Sequence, residues 1–441
     1  MSRTRGPNKG EEPDKDAEQA EQAEKTDDEA QEDKTPPPSW PLSFIWRDED
    51  GSEADSGEAT ATESDEELAF AVKGAPDFSV PWNQIESVDE GDHRLTLRLH
   101  DGTALNLHKA GRGHDHLTSV VMAHFGKKVL KEALAEETLI EEFAGHATPF
   151  GGDGRDCRVL VYENALCLTF ADGDVARLPF VFAGIARDGW KFDFSLPDGS
   201  GWTLGKLGRS TDSFAAAVDQ ALSAMHTRAS EFVRSLAPTL SPLKVRRLSG
   251  CFLDGRAAPK KDVLAAGNAI SDGLMREIER VGLGPSWTAL AALDTADRTR
   301  IGIKRGLVSG GKAYVFFMVP AEAGSGRRIV LEASSDASGS RATYVFDAGA
   351  LSDQGAEAAM DVLNYGLYTV NFRREPVYLS NAQLQKPAYL RYRRALERIP
   401  ALSVLRRAFV GRVMHNEDWN ARLLTLLGTD AGGGDEEGTV Q

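Results

Sequence analysis

LHKAGRGHDHL, residues Leu107–Leu117, returns 97 positions later as LGKLGRSTDSF, residues Leu204–Phe214. Leucine, lysine, glycine, arginine and aspartate recur in the same order and spacing, and both phrases close on an apolar residue. A phrase written twice in one chain marks a duplicated structural unit before it marks any chemistry.

The match extends outward. At the same offset, Leu95, Leu97 and Leu99 stand opposite Phe192, Phe194 and Leu196, alternating with Thr96 and Arg98 in one copy and with Asp193 and Ser195 in the other. Alternation of period two predicts a strand with one buried face. DGT from Asp101 and DGS from Asp198 then signal a hairpin. Leu105 and Leu107, against Trp202 and Leu204, supply the next strand. Upstream, across a one-residue indel, VPW from Val80 meets LPF from Leu178. Downstream the period lengthens: Leu117, Val120, Val121 and Phe125, like Phe214, Ala217, Val218 and Leu222, follow an amphipathic helix. Asp115 and Asp212 fall in its first turn, where a carboxylate can cap free N–H groups and suits the helix dipole. Gly111 and Gly208 sit in the strand-to-helix turn, where a positive φ is expected. In the second copy CRVLVYENALCLTF, turning at Glu163-Asn164, and DVARLPFVF add strands ahead of the match.

The expected fold class is therefore α+β: tandem antiparallel β-meanders, each closed by a C-terminal helix, followed by a third α+β unit. Val80-Pro81-Trp82, Leu97 to Gly102, Leu178-Pro179-Phe180 and Leu196 to Gly199, each pair followed by a closing helix, resemble bacterial pleckstrin-homology-like domains over about residues 66–236. The resemblance implies a sheet-and-helix scaffold used mainly for binding. Some such modules bind phosphoinositides through a basic first hairpin, but the loop at Glu163-Asn164 is not basic and lipid binding is not carried over. The first copy has few early strands in its sequence, so either FIWRDED supplies one across an acidic linker or that module is incomplete.

Charge divides the chain. The net charge is −16, yet residues 1–67 carry 22 acidic against 7 basic residues and the tail after Gly428 carries four acids, so the middle is near neutral. The expected organisation is a disordered acidic tail over 1–66, modules over 67–145 and 146–240, an α+β domain with a basic C-terminal helix over 241–428, and a disordered tail over 429–441. The acidic tail is too poor in apolar residues to offset chain entropy. WPLSFIW, Trp40–Trp46, is its exception, a segment able to dock on a folded surface. In the third unit KKDVLAAGNAISDGLMREIERVGL reads as helical. RTRIGIKRG, KAYVFFMV, RRIVLEAS and RATYVFDA read as strands, and GAEAAMDVLNYGLYTV as a helix. This unit is a candidate diverged copy of the same module. Three cysteines without a CxxC, no apolar leader and no run of ~20 apolar residues fit a reduced cytoplasmic setting. The alanine, glycine and arginine usage resembles that of a high-GC bacterium.

Candidate chemistry is sparse. GLVSGGKA, Gly306–Ala313, approaches a phosphate-binding loop, but it ends in alanine and precedes a strand rather than a helix, so a hairpin turn is the plainer reading. Six of nine histidines, His93, His100, His108, His114, His116 and His124, lie in the first copy; the second has no histidine in any of those places, so the fold does not need them and no metal site is expected. His93 falls on core-facing parity and His124 on the buried helix stripe. No cofactor and no catalytic group are expected.

Lys109, Arg112, Lys206 and Arg209 are repeated cations beside a helix start. They either grip an anion or partner, or pair with an aspartate of their own copy; the second reading is preferred. Residues 386–412 carry one lysine and seven arginines against one glutamate. Arg391, Arg393, Arg394, Arg398, Arg406 and Arg407 make them a candidate anionic-partner surface, with the acidic tail a possible internal ligand. The plainer reading is a helix packed on the third unit through Tyr389, Tyr392, Leu396 and Ile399, the pattern resuming after Pro400 at Leu402, Leu405 and Phe409. The function expected is that of a non-catalytic adaptor or scaffold holding a protein partner by sheet edge or helix groove; nucleic acid is not the expected partner. The alternatives are an enzyme or nucleotide-binding protein with its site in residues 245–428, and a peripheral membrane protein attached to an anionic surface by the arginine-rich segment 386–412.

Overall fold

The computed structural model describes residues 38–428 apart from 136, 198, 295, 306–313, 324–325 and 335–341. The expectations for the first 37 residues, for the tail after Gly428 and for the glycine-rich loop Gly306–Ala313 lie outside the described residues. The fold is α+β with three antiparallel sheets.

The first sheet comprises β1 (Ser39–Arg47), β2 (Glu53–Glu63), β3 (Glu67–Val72), β4 (Phe78–Pro81), β5 (Ile85–Gly91), β6 (Arg94–Leu99) and β7 (Ala104–His108). The helix α1, His114–Glu132, follows. The second comprises β8 (Leu139–Pro149), β9 (Arg155–Tyr162), β10 (Ala165–Thr169), β11 (Val175–Pro179), β12 (Gly184–Asp188), β13 (Lys191–Ser195) and β14 (Gly201–Gly205), followed by α2, Thr211–Leu236. The strand orders are β4-β3-β2-β1-β7-β6-β5 and β11-β10-β9-β8-β14-β13-β12. They are the same order. Each is two meanders joined where the first strand pairs with the last, rather than one continuous meander.

This corrects two boundaries. Residues 39–63, expected to be a disordered tail, form β1 and β2, with Trp40↔Ala61 and Leu42↔Ala59 in register. Trp40, Leu42 and Phe44 are buried. The first copy is therefore complete, and FIW lies within its first strand. Strand β8 likewise runs across the expected boundary at 145/146.

The two helices do unequal work. Leu117, Val121, Phe125 and Val129 of α1 seal the first sheet against Phe44, Leu97 and Leu105. Phe214, Ala217, Ala221 and Met225 of α2 seal the second against Phe143 and Phe194. Phe232, Val233 and Leu236, further along α2, join a different core with Ile301 and Phe317. That core belongs to the third sheet: β15 (Ala257–Pro259), β16 (Arg300–Lys304), β17 (Tyr314–Ala323), β18 (Gly326–Ser334), β19 (Ala342–Asp347) and β20 (Phe409–Met414), ordered sequentially. Its sequential order differs from the other two sheets, so it is not a third copy of their topology. Along β17, Val315, Phe317 and Val319 face the core shared with α2 and the helix Asn268–Arg280. Phe316 and Met318 face the helices Ala356–Thr369 and Pro400–Ala408. Burial on both faces explains the unbroken apolar run VFFMV. The strands expected over 300–347 and the helix over 356–369 are present. Phe409, expected to continue a helix, opens β20 instead.

Candidate functional site

The repeated phrase is built by backbone geometry. Lys109 and Lys206 both adopt positive φ, 58° and 54°, and Gly111 and Gly208 follow at 56° and 58°. The N–H of Gly113 donates to Ala110 O, and that of Ser210 to Leu207 O, both near 3 Å. The hairpins before them match too: Gly102 N–H donates to Leu99 O and Gly199 N–H to Leu196 O, each at 3.0 Å. The pairing of Lys109, Arg112, Lys206 and Arg209 with an aspartate of their own copy is absent among the described residues. Asp212 accepts from Arg187 at 3.0 Å instead, and neither α1 nor α2 has a side-chain cap. Lys109, Arg112, Lys206 and Arg209 are exposed, with Lys206 Nζ 3.4 Å from His146 Nδ1. They lie on two separate sheets, so the phrase does not gather them into one site.

The arginine segment divides into bound and open groups. Arg398 reaches Glu132 of α1 at 3.1 Å and also donates to Gly173 O in the second sheet's β10–β11 turn. Arg406 donates to Pro376 O at 2.6 Å and Leu379 O at 2.7 Å. Arg394 pairs with Glu397 at 2.9 Å, Arg393 bonds Gln385 at 3.0 Å, and Arg391 lies over the Tyr392 ring. Through Arg398 the helix Leu390–Arg398 thus fastens the third unit to the first two, while Arg391 and Arg393 stay exposed. Arg407 is exposed and has no ion-pair partner among the described residues.

Beside Arg407 opens a cleft of about 560 Å³ between β11 and β14 of the second sheet and the helices Ala356–Thr369 and Pro400–Ala408. Leu178, Leu196, Trp202, Val362, Ile399 and Val404 make its walls apolar. Arg177, Arg398 and Arg407 line it, and no carboxylate does. Arg177 is 9% exposed and forms a buried pair with Glu137. It also donates to Tyr368 O at 3.2 Å and Thr369 O at 3.1 Å, bridging the sheet to the helix. Burial alone would pull the Arg177 guanidinium down; Glu137, followed by Cys167 and Tyr368, more than offsets this and holds it above its ordinary range. Its Nε is buried without a hydrogen-bond partner among the described residues. The phenol of Tyr368 is pushed well above its usual range by burial.

The other candidates resolve locally. His124 stacks on Trp82 with ring centroids 4.3 Å apart, in line with its place on the helix stripe. His116 Nδ1 accepts from Trp40 Nε1 at 3.3 Å. His93 is a correction: it is exposed in a tight turn at φ 50°, not core-facing. Among the described residues no group of three metal-ligating side chains converges. Glu332, fully buried, meets Thr343 and His415. Both neighbours use the same ring nitrogen, His415 Nε2, at 3.3 Å from Thr343 Oγ1 and 2.9 Å from Glu332, whereas a proton relay needs the two ring nitrogens to face different groups. The thiols of Cys157 and Cys167 are pushed up to about 12 by burial.

The sheet edges differ between copies. Val88 in β5 stands opposite Leu97, and its N–H donates to Ala171 O at 3.3 Å, so the second sheet's own turn caps that edge. Ile185 in β12, opposite Phe194, holds the equivalent place. Among the described residues no backbone group outside β13 bonds to β12, and Ala186, Arg187 and Asp188 are exposed. The adjoining hairpin ends on Trp190, 71% exposed. At the far edge, β11 is covered by the helix Ala356–Thr369 through Arg177, and β4 ends on Pro81, which has no N–H to offer.

No protein-family model matches the chain, and no curated protein matches it. Among the described residues no helix is long and apolar enough to cross a membrane. The cleft was missed in the sequence because its arginines lie in three different elements, Arg177 on β11 and Arg398 and Arg407 on successive helices, which meet only in the tertiary fold.

Proposed function

We propose that this chain is a non-catalytic adaptor built on two pleckstrin-homology-like modules, and that a protein partner adds an extended segment to the open edge β12. The observation that carries this reading is the contrast between equivalent edges. The chain covers β5 with its own Ala171 carbonyl, and among the described residues it leaves β12 free beside an exposed tryptophan. An unpaired edge offers a row of N–H and C=O groups to an extended peptide, while a neighbouring aromatic adds side-chain contact. Natural edges are also defended by being short and charged, and β12 has five residues with Arg187 and Asp188 at its end. The partner's strand is therefore expected to be short and to rely on backbone pairing, since Arg187 is already paired with Asp212. This reading is preferred to attachment through the arginine segment because Arg398 and Arg406 are committed within the chain.

The test is selection of binders from a random peptide library on the full chain, followed by amide hydrogen exchange with the bound peptide. Protection at Ile185 and Arg187 is expected, together with at least a tenfold loss of binding in Ile185→Pro, which should still unfold cooperatively, since edge strands tolerate proline even though the Ile185 side chain packs partly on the core. Peptides that protect another surface, or that bind I185P as well as the parent, would remove the proposal.

A further inference from the structure

We infer that the cleft between β11, β14 and the C-terminal helices is a binding site for a single-chain aliphatic carboxylate of fatty-acid type. This is independent of the partner proposed for β12. At about 560 Å³ the cleft falls in the range of small-molecule sites. Its walls are mostly aliphatic, from Leu178, Leu196, Val362, Ile399 and Val404, with Trp202 along one side. Such walls favour a hydrocarbon chain over a polar ligand, because an unpaired polar group would lose its hydration there.

Charge selects the head group. Three arginines and no acid line the cleft. Arg398 is held by Glu132, and Arg177 by Glu137 with its Nε still unpartnered. Arg407 is exposed at the rim without an ion-pair partner among the described residues. An anion at the rim gains a charge-assisted contact with Arg407, and its chain runs inward past Val404 and Ile399. A cationic amphiphile would meet arginines as the only charged side chains lining the cleft.

The experiment is isothermal titration of the full chain with octanoate, decanoate and dodecanoate below their micelle concentrations, with dodecanol as the uncharged control. Affinity is expected to rise about fourfold per added methylene until the cleft is full, as follows from the transfer free energy of one buried CH₂. Ala401→Phe, which fills the cleft, should abolish binding. Arg407→Gln should weaken dodecanoate at least fivefold and leave dodecanol unchanged. Because Arg407 is exposed, R407Q keeps the test decisive even if A401F does not fold. Absence of dodecanoate binding to the parent, dodecanol binding as tight as dodecanoate, or R407Q binding dodecanoate as the parent does would each overturn the inference.

Discussion

Replacing Gly111 and Gly208 by alanine should destabilise the protein equally in the two copies. Their φ angles are 56° and 58°, and a Cβ placed at either glycine meets nothing within 4 Å. Steric crowding therefore contributes nothing, and the cost is that of holding an L-residue in the left-handed region, about 1–2 kcal/mol. The lower entropy of alanine in the unfolded chain returns about 0.4–1 kcal/mol. The net expectation is about 1 kcal/mol for each variant. Lys109→Gly and Lys206→Gly run the argument backwards. Both lysines already sit at positive φ, 58° and 54°, so glycine relieves that strain at an entropic cost of about 0.5–1 kcal/mol, leaving a small gain. Urea unfolding of all four variants, with amide exchange at the first turns of α1 and α2, measures this. If either glycine variant is neutral, or if a lysine variant loses more than about 1 kcal/mol, the phrase is retained for its side chains and the backbone account fails.

Three further outcomes follow from buried groups. Glu137→Ala strands the Arg177 charge, both side chains being about 5% exposed, and should cost about 3–5 kcal/mol in urea unfolding. His100 is held down to about 4, against an ordinary 6.5, first by burial and then by Lys128, whose Nζ lies 3.2 Å away, and by Arg394 and Arg398 nearby. The folded chain thus binds this proton less readily than the unfolded one. The His100 contribution is intact above pH 6.5 and is lost as pH falls from 6.5 towards 4. Because the ring is only partly buried, solvent screening limits the loss to about 1–2 kcal/mol, and His100→Gln should flatten stability over that window. Cys157 and Cys167, with thiols near 12, should resist iodoacetamide at pH 8 in the native state and react together on unfolding; labelling of either without unfolding would contradict their burial.

What was legible in the sequence was local. Leu95, Leu97 and Leu99 alternate strictly, Gly102 and Gly199 punctuate equivalent hairpins, and the period changes at Leu117 and Phe214, so strand, turn and helix could be read in both copies. The first two strands were hidden by composition. Trp40, Leu42 and Phe44 alternate, but the acids of Glu53–Glu63 obscured a strand whose inward positions are only Ala59 and Ala61. Small inward residues suffice there because the opposing strand supplies the bulk: Ala61 faces Trp40 and Ala59 faces Leu42 across the pair.

The repeat, the α+β class and the closing helices follow from the order of residues alone, since hydrophobic period and turn chemistry act over a few neighbours. Which sheet edge is left open, and where the arginines converge, was decided only when distant segments met. Ala171 reaches Val88 across 83 positions, and Arg177, on a strand of the second sheet, lines the same cleft as Arg407, on the helix Pro400–Ala408. Such juxtapositions depend on how whole faces pack, and no local period encodes them.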